Sequence, residues 1–411
     1  MLGWFIIALY LCGRKINKNR KKDELDLFMK KWIVSYLCVI SFCSCSHDKV
    51  SYSYTLQPAN VFLRYELDAD VKMPLLIYTC KGENDYLYFQ NFSSSELLIY
   101  DIPRGSLVKR NRFEEEGANA IRGGFLRGFM MTDCDRIFIS GLADGCIYET
   151  DTAGYIKNEM RFSKSQNGYC PLVCADDNGK MELIDGKLYL PQNLNWQLGD
   201  KVMESPLMCC VDMETGNARP LPIYFPQQLK DERVLRGGPI SVVAKYKYCF
   251  DGNRFVYSFA YSDELMVVDS QTFEVSYKAG KSQYIGNVGV PTFRNKDMVN
   301  VNRILLESPA YDKILYDNEN EVYYRIVYVP QNIEKNTDMI SLIRSGRKQF
   351  SIMMYDKNFN VIGEDLFPEY TYNPKLSFVY QGSLYISTNH VMSPDYSDDI
   401  LSFQKMDLVK L

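Results

Sequence analysis

The sequence predicts an all-β fold, a six-bladed β-propeller built from four-stranded antiparallel sheets. The first observation is composition: 14% of the 411 residues are aromatic, including 31 Tyr, and aromatic residues favour strands. The second is a unit of two hairpins, clearest at residues 246–279, in which apolar runs flank turns at Asp251-Gly252-Asn253 and Asp269-Ser270-Gln271-Thr272. The third is that this unit recurs, and such units bury both faces only by packing against further copies.

The copies can be followed from the first blade to the last. Their first hairpins are predicted at residues 75–89, 128–139, 181–190, 246–257, 313–324 and 376–386. Five of the second hairpins turn at an aspartate, namely Asp101, Asp151, Asp212, Asp269 and Asp356. An aspartate in a turn accepts hydrogen bonds from backbone N–H groups two and three residues later, so we interpret these side chains as turn formers rather than catalytic acids.

The last copy is incomplete, and this predicts how the ring closes. After Phe403 only residues 404–411 remain, which complete a third strand but leave little for a fourth. An unfinished sheet exposes an unpaired strand edge. We therefore predict that residues 51–56 or 61–67, two possible strands ahead of the first blade, form the outermost strand of the final blade.

The first 44 residues differ from the rest and indicate export. We interpret residues 1–28 as an extension upstream of the true start at Met29. Residues 29–44 combine a basic start, a short apolar stretch and small residues before Cys45, as in a bacterial lipoprotein signal peptide. Cys45 would then be the lipidated first residue of a propeller domain at residues 45–411, and the alternative is an ordinary cleaved signal. This predicts an outer-membrane lipoprotein of a Gram-negative cell envelope, on its periplasmic or surface side.

Charge and cysteine usage exclude several classes of function. Residues 1–44 hold 8 basic and 3 acidic side chains, so the rest of the chain carries 39 basic and 48 acidic ones, a formal net charge of −9. An acidic body disfavours nucleic-acid binding. No Cys/His spacing of a zinc site is present, and no cofactor is expected. The eight cysteines after Cys45 fall mostly in predicted strands, where we expect buried and mostly free thiols.

Three features point to a known family: the leader, the six hairpin pairs, and the stretches Gly117-Ala118-Asn119-Ala120-Ile121 and Val322-Tyr323-Tyr324-Arg325. With these features the chain resembles an uncharacterised family of propeller lipoproteins from Bacteroides-type bacteria, known as domain of unknown function 4221. The resemblance covers residues 65–411 and extends more broadly to TolB-like and NHL-like six-bladed propellers. The resemblance implies a fold and no established catalytic residues.

Candidate binding residues lie on or near the long links, which emerge together at one face of the ring. Trp196 and Arg236 lie on such links, Arg122 and Arg127 enter the second blade, and Arg325 ends an inner strand. Basic side chains near the central channel suit a carboxylate or another anion, and the candidates are Arg122, Arg127, Arg236 and Arg325. The alternative is that these arginines are solvated or paired with nearby acids. Trp196 is either a stacking platform for a sugar or an anchor for its own loop.

Enzyme motifs are mostly missing from the sequence. A Ser-His-Asp arrangement after the leader has only His390 available besides His47 in the tether. Neither a Gly-x-Ser-x-Gly elbow nor a His-Glu-x-x-His motif occurs. His390 therefore joins the candidate ligand-binding residues.

Three hypotheses of function follow. The leading hypothesis is a non-enzymatic, monomeric binding protein for a glycan, a peptide or an envelope protein, attached to the membrane only through its lipid. The alternatives are a hydrolase or lyase at the channel mouth, using His390, Arg325 or a loop carboxylate, and an assembly scaffold without a small ligand. A structure discriminates them by whether His390, Arg325 and acidic groups converge in one pocket.

Overall fold

Short apolar runs separated by tight turns form six four-stranded antiparallel sheets arranged in a ring, as the sequence predicts. The computed structural model describes residues 52–81, 84–91, 94–121, 126–132, 136–141, 146–161, 179–191, 201–236, 239–293 and 297–411. The predicted signal segment and Cys45 lie outside these residues. Within each of the first five sheets the strands follow one another in chain order, which is the meander expected from paired hairpins.

The strands are numbered along the chain. The first is β1 (Tyr54–Glu66). Blade 1 contains β2 (Tyr78–Lys81), β3 (Asp85–Asn91), β4 (Glu96–Asp101) and β5 (Leu107–Arg112). Blade 2 contains β6 (Leu126–Met131), β7 (Ile137–Gly141), β8 (Cys146–Thr150) and β9 (Ile156–Arg161). Blade 3 contains β10 (Glu182–Ile184), β11 (Lys187–Pro191), β12 (Met208–Asp212) and β13 (Ala218–Pro220).

The remaining blades follow the same plan. Blade 4 contains β14 (Tyr246–Phe250), β15 (Arg254–Phe259), β16 (Glu264–Asp269) and β17 (Val275–Ala279). Blade 5 contains β18 (Ala310–Asp317), β19 (Val322–Tyr328), β20 (Phe350–Tyr355) and β21 (Val361–Leu366). Blade 6 contains β22 (Asn373–Tyr380), β23 (Ser383–Ser387) and β24 (Ile400–Lys410), with β1 as its fourth strand.

The closing strand confirms the predicted use of the N-terminal segment. The antiparallel pair of β1 and β24 runs from Tyr54 opposite Lys410 to Glu66 opposite Ile400. The two stretches predicted as alternatives are halves of this one strand, joined where the register shifts after Pro58. Proline cannot donate to a strand ladder, so a shift at this position is expected. The last sheet therefore completes its fourth strand with residues from the front of the chain.

A second set of bonds ties this strand to the neighbouring blade. Asp365 in β21 accepts the hydroxyl of Thr55 at 2.9 Å and the backbone N–H of Leu56 at 2.6 Å. The backbone N–H of Ser53 also donates to the carbonyl of Ile362. The closing strand thus contacts both the last blade and the one before it, which joins the two ends of the ring.

The turn aspartates have the predicted role. In Asp269, Oδ1 accepts the N–H groups of Gln271 and Thr272 at 2.9 and 2.8 Å. These bonds hold the pKa of Asp269 below its ordinary value. The same kind of acceptor serves the turns at Asp101, Asp151, Asp212 and Asp356. The carboxylates of these turn aspartates are therefore already hydrogen-bonded to backbone N–H groups of their own turns.

The hydrophobic core lies between facing sheets. Its largest cluster contains Tyr257, Val268 and Tyr323, each fully buried, from adjacent blades. Burying a side chain of this size contributes about 2 kcal/mol through the hydrophobic effect. The five cysteines of the described residues all lie in strands, and four of them are buried, as expected of small apolar groups.

Two local features differ from the sequence prediction. The inner strand of blade 1 begins at Tyr78 rather than ending there, because the hairpin pairs Cys80 with Tyr86 close to its turn. Within the described ranges, four helices also occupy links expected to be irregular. They are α1 (Gln227–Arg236), α2 (Ile240–Val243), α3 (Met298–Glu307) and α4 (Met339–Ser345).

Candidate functional site

Arg325 is buried in the seam between blades 4 and 5 and does not face the channel. Its Nε donates to the hydroxyl of Ser258 at 2.9 Å, and its Nη2 donates to the carbonyl of Ser262 at 2.8 Å. Its guanidinium lies 3.5 Å from the centroid of the Tyr311 ring, a cation–π contact. The side chain is completely inaccessible to solvent. Its polar atoms already bond to the protein, and ligand binding by Arg325 stays a prediction.

His390 is buried in a different place. Its Nε2 donates to the carbonyl of Arg347 at 2.7 Å, and its Nδ1 accepts the N–H of Met392 at 3.1 Å. This pattern fixes a neutral tautomer, and burial lowers the pKa of His390 although the bond to the Arg347 carbonyl opposes that effect. Arg325 has its partners on blade 4, so the two side chains do not converge in one pocket.

The other predicted residues are only partly placed. Arg127 lies in β6 and Arg236 ends α1, but their side chains are outside the described residues. Arg122, Trp196 and Cys45 lie outside the described residues altogether. Their predicted roles stay predictions.

A cavity of about 230 Å³ occupies the centre of the ring. Its wall comes from the inner strands of five blades, or from residues just ahead of them. The charged residues of the wall are Lys180, Lys247, Lys313, Lys375, Glu182 and Asp312. Four ammonium groups therefore face two carboxylates, although the domain as a whole is acidic. A channel with an excess of positive charge within an acidic body favours a negatively charged ligand.

The four lysines differ in how the protein holds them. Lys247 lies 4.0 Å from Asp312, which makes a long ion pair. Lys313 donates to the carbonyls of Lys375 and Ser377 at 3.0 and 2.7 Å. These two lysines have partners that explain their position in the wall.

Lys180 and Lys375 are held less firmly. Lys180 makes one long hydrogen bond, 3.5 Å, to the carbonyl of Thr79 across the channel. Among the described residues, no acidic side chain lies within ion-pairing distance of the Lys375 ammonium. Both side chains are half-buried, so their charge lies at a cavity wall rather than in bulk water. They are the two channel cations most available to a ligand.

Glu182 is the third available group. It is half-buried in the cavity wall, and no donor among the described residues bonds to its carboxyl. Burial raises the pKa of Glu182 to about 7, against the opposing effect of Lys180. The same burial works to lower the pKa of Lys180, but Tyr88, Glu182 and Cys80 outweigh it and the net direction is upward. Lys180 therefore stays cationic beside a carboxyl that titrates near neutrality.

The backbone at Lys180 is fixed by a close approach of Tyr248. The Tyr248 hydroxyl donates to the carbonyl of Lys180. A Cβ on Gly179 would lie 2.4 Å from the Tyr248 ring, so only glycine permits this contact. Blade 4 thereby sets the position from which the Lys180 side chain enters the cavity.

Two β-bulges lie next to each other on the wall. The pairing of β18 with β19 shifts register around Lys313, and that of β22 with β23 shifts around Lys375. Bulges redirect side chains and are common beside functional sites.

The sequence contains a weak signal for the lysines of this wall, since each of them interrupts or directly precedes an apolar innermost strand. Sequence reasoning favoured arginines on long links and missed it.

Comparisons with known proteins agree on the fold. The family model described as a domain of unknown function (DUF4221) matches residues 46–366. A solved DUF4221 protein from Bacteroides vulgatus is 21% identical, with a TM-score of 0.73, and the match covers 88% of this chain and 99% of that one. A candidate exported protein of Bacteroides fragilis is 10% identical, with a TM-score of 0.49, covering 87% and 98%. No functionally curated protein matches the chain. Within the described residues, no helix has the length and apolar character needed to cross a membrane.

Proposed function

This chain belongs to the DUF4221 family, a domain of unknown function, and we propose that it is a non-enzymatic binding protein of the cell envelope. Its central cavity is the proposed site, and the proposed ligand is a small anion or the anionic end of a glycan or peptide.

We also propose that a lipidated Cys45 attaches the protein to the membrane. Loss of fatty-acid labelling in Cys45→Ala, with labelling kept in Cys43→Ala, would support the anchor, and unchanged labelling would contradict it.

One observation carries the proposal of a ligand site. The ammonium groups of Lys180 and Lys375 line a cavity inside an acidic domain, and neither forms an ion pair within hydrogen-bonding distance among the described residues. Half-buried charges without partners are unfavourable unless another group compensates them. An anion in the cavity supplies that compensation. Pockets for drug-sized ligands have about 300 to 1,000 Å³, so a cavity of about 230 Å³ suits a smaller ligand.

Two alternative roles for the channel have less support. Lysines on exposed strand edges also prevent sheets from pairing between molecules, but an inner strand facing a narrow channel is already protected. A hydrolase or lyase site needs a reactive group at the channel mouth. Two of the groups named for it, His390 and Arg325, are fully buried and bonded elsewhere.

The test is isothermal titration calorimetry with small anions: acetate, succinate, inorganic phosphate, glutamate and glucuronate. We expect at least one anion to bind the wild-type protein and to lose at least tenfold in affinity in the double variant Lys180→Met/Lys375→Met. The matched control is Lys335→Met/Lys410→Met, which removes the same charge from exposed positions outside the channel. Equal binding by both double variants, or no binding of any anion, would contradict the proposed site.

A further inference from the structure

The channel wall also contains an acidic side chain, Glu182, beside its lysines. Glu182 begins the inner strand β10 and lines the cavity, and its carboxyl is close enough to Lys180 for each group to shift the pKa of the other. A dianion such as phosphate would meet this carboxylate as a like charge. A ligand with a single carboxylate and adjacent hydroxyl groups would avoid that repulsion, because its carboxylate can contact the lysines while a hydroxyl donates to Glu182.

Aromatic rings form another part of the same wall. Tyr78, Phe250 and Tyr316 line the cavity and are half-buried, and each also packs against a ring of a neighbouring strand. Rings of this kind present a large apolar surface at little entropic cost. A ligand that uses them needs an apolar face of its own. The C–H face of a pyranose ring is such a surface, whereas a bare inorganic anion has none.

The inventory of polar groups also argues against a neutral sugar. A ligand without charge would displace water from Lys180 and Lys375 and leave both ammonium groups uncompensated. Sites with polar groups matched to one substrate reject an analogue that leaves those groups unpaired. The wall therefore discriminates in two directions, against a neutral hexose and against a dianion.

Resting on the proposed anion-binding channel, we propose that its ligand is a sugar acid, a hexuronic acid or a closely related hydroxylated cyclic monocarboxylic acid. Its carboxylate contacts Lys180 and Lys375, one ring hydroxyl donates to Glu182, and its C–H face packs on the aromatic rings of the wall. The cavity volume of about 230 Å³ accommodates one such residue, either free or as the end of a chain.

The test is calorimetric titration at pH 8, where Glu182 is ionised, with glucuronate, glucose, inorganic phosphate and glutamate. We expect glucuronate to bind at least tenfold more tightly than any of the others. In Glu182→Gln the preference for glucuronate over phosphate should fall about tenfold, because the substitution removes the repulsion of the dianion and keeps the side-chain shape. Circular dichroism checks that each variant is folded.

A second variant tests the apolar contact. Tyr316→Ala should weaken glucuronate binding several-fold while leaving phosphate binding unchanged, since phosphate has no face to stack. Phosphate binding as tight as glucuronate binding would overturn the proposal of a sugar acid, but it would be consistent with the proposal of an anion-binding channel. Tighter binding of glutamate would also overturn it, in favour of an amino acid or peptide end. The absence of binding by all four compounds would contradict this inference, and the absence of binding by acetate and succinate as well would contradict the proposed function.

Discussion

The seam around Arg325 and the channel wall around Lys180 each hold a cationic side chain, but they differ in how many protein groups bond to it. In the seam, Arg325 bonds to Ser258 and to backbone carbonyls of the blade 4 link, and it stacks on Tyr311. In the wall, Lys180 has a single long bond. Both are removed from bulk water, but protein atoms bond to the arginine at several donors and to the lysine at one.

This contrast shows how a buried charge can be assigned a role. A cation whose donors are all satisfied by the fold contributes to the structure, and its loss leaves orphaned carbonyls. A cation at a cavity without partners contributes little to stability and is available to a ligand. The following substitutions test this distinction, in order of expected change in the free energy of unfolding.

The greatest change is expected for Arg325→Met. The substitution removes the donor to the carbonyl of Ser262, the longer bond to the carbonyl of Phe259 and the contact with Tyr311, so unfolding free energy should fall by about 3 kcal/mol. Chemical denaturation monitored by circular dichroism measures it. Arg325→Lys should recover less than half of the loss, because one ammonium cannot reproduce the fork of a guanidinium. A loss below about 1 kcal/mol would remove the contrast between seam and wall.

Lys313→Met provides a comparison within the channel itself. Lys313 bridges two carbonyls of the neighbouring inner strand, so its loss should lower the unfolding free energy by about 2 kcal/mol. Binding of the anion should change less than in the Lys180 variant. If Lys313→Met abolishes binding without destabilising the fold, the division of the four lysines into structural and available ones is wrong.

Glu182→Gln should alter the pH dependence of stability. The folded-state pKa of Glu182, about 7, exceeds the ordinary value of 4.5, so the folded protein binds a proton that the unfolded chain has released. Stability therefore falls as pH rises from about 4.5 to 7, and the glutamine variant should exceed the wild type by about 1 kcal/mol at pH 8, allowing for solvent screening. The groups facing Glu182 are Lys180, Tyr88, Tyr248 and Cys249.

Denaturation curves at pH 4.5 and pH 8 give the comparison for Glu182→Gln. The difference between variant and wild type should be small at pH 4.5, where the carboxyl is largely protonated in the folded protein. An equal difference at both pH values would show that Glu182 is stabilised by protein partners, contrary to its assignment as an available group.

The least change is expected for Lys180→Met/Lys375→Met. Neither ammonium pairs with an acidic side chain among the described residues, and the methylene stems can pack as before, so unfolding free energy should change by no more than about 0.5 kcal/mol. The same variant is predicted to lose anion binding. A destabilisation comparable to that of Arg325→Met would place these lysines with the structural cations.

The architecture could be predicted from the sequence because its signals are local. Alternating apolar runs and turn residues define hairpins, and the Asp269 turn is made entirely by residues within three positions of it. The closing strand could be predicted because the residues after Phe403 are too few to supply the fourth strand of the last blade. The helix α3 was missed although Asp297 caps it by accepting the N–H of Asn300, because a single capping residue in a long link is a weak signal.

The site could not be predicted as well, because it depends on which residues of distant strands share the channel. Arg325 and Lys375 look alike as basic residues within or beside strands, but only the fold shows that one lies in a seam and the other at a cavity. The lysines of separate blades are brought together by ring closure, which a local pattern does not encode.

The most direct test of the proposed channel site is a crystal structure of the wild-type protein with glucuronate. We predict the sugar acid in the central cavity, with its carboxylate within hydrogen-bonding distance of Lys180 and Lys375 and a hydroxyl within reach of Glu182. Glucuronate bound on the outer links with the cavity holding only water, at a concentration that saturates binding in solution, would contradict the proposed site.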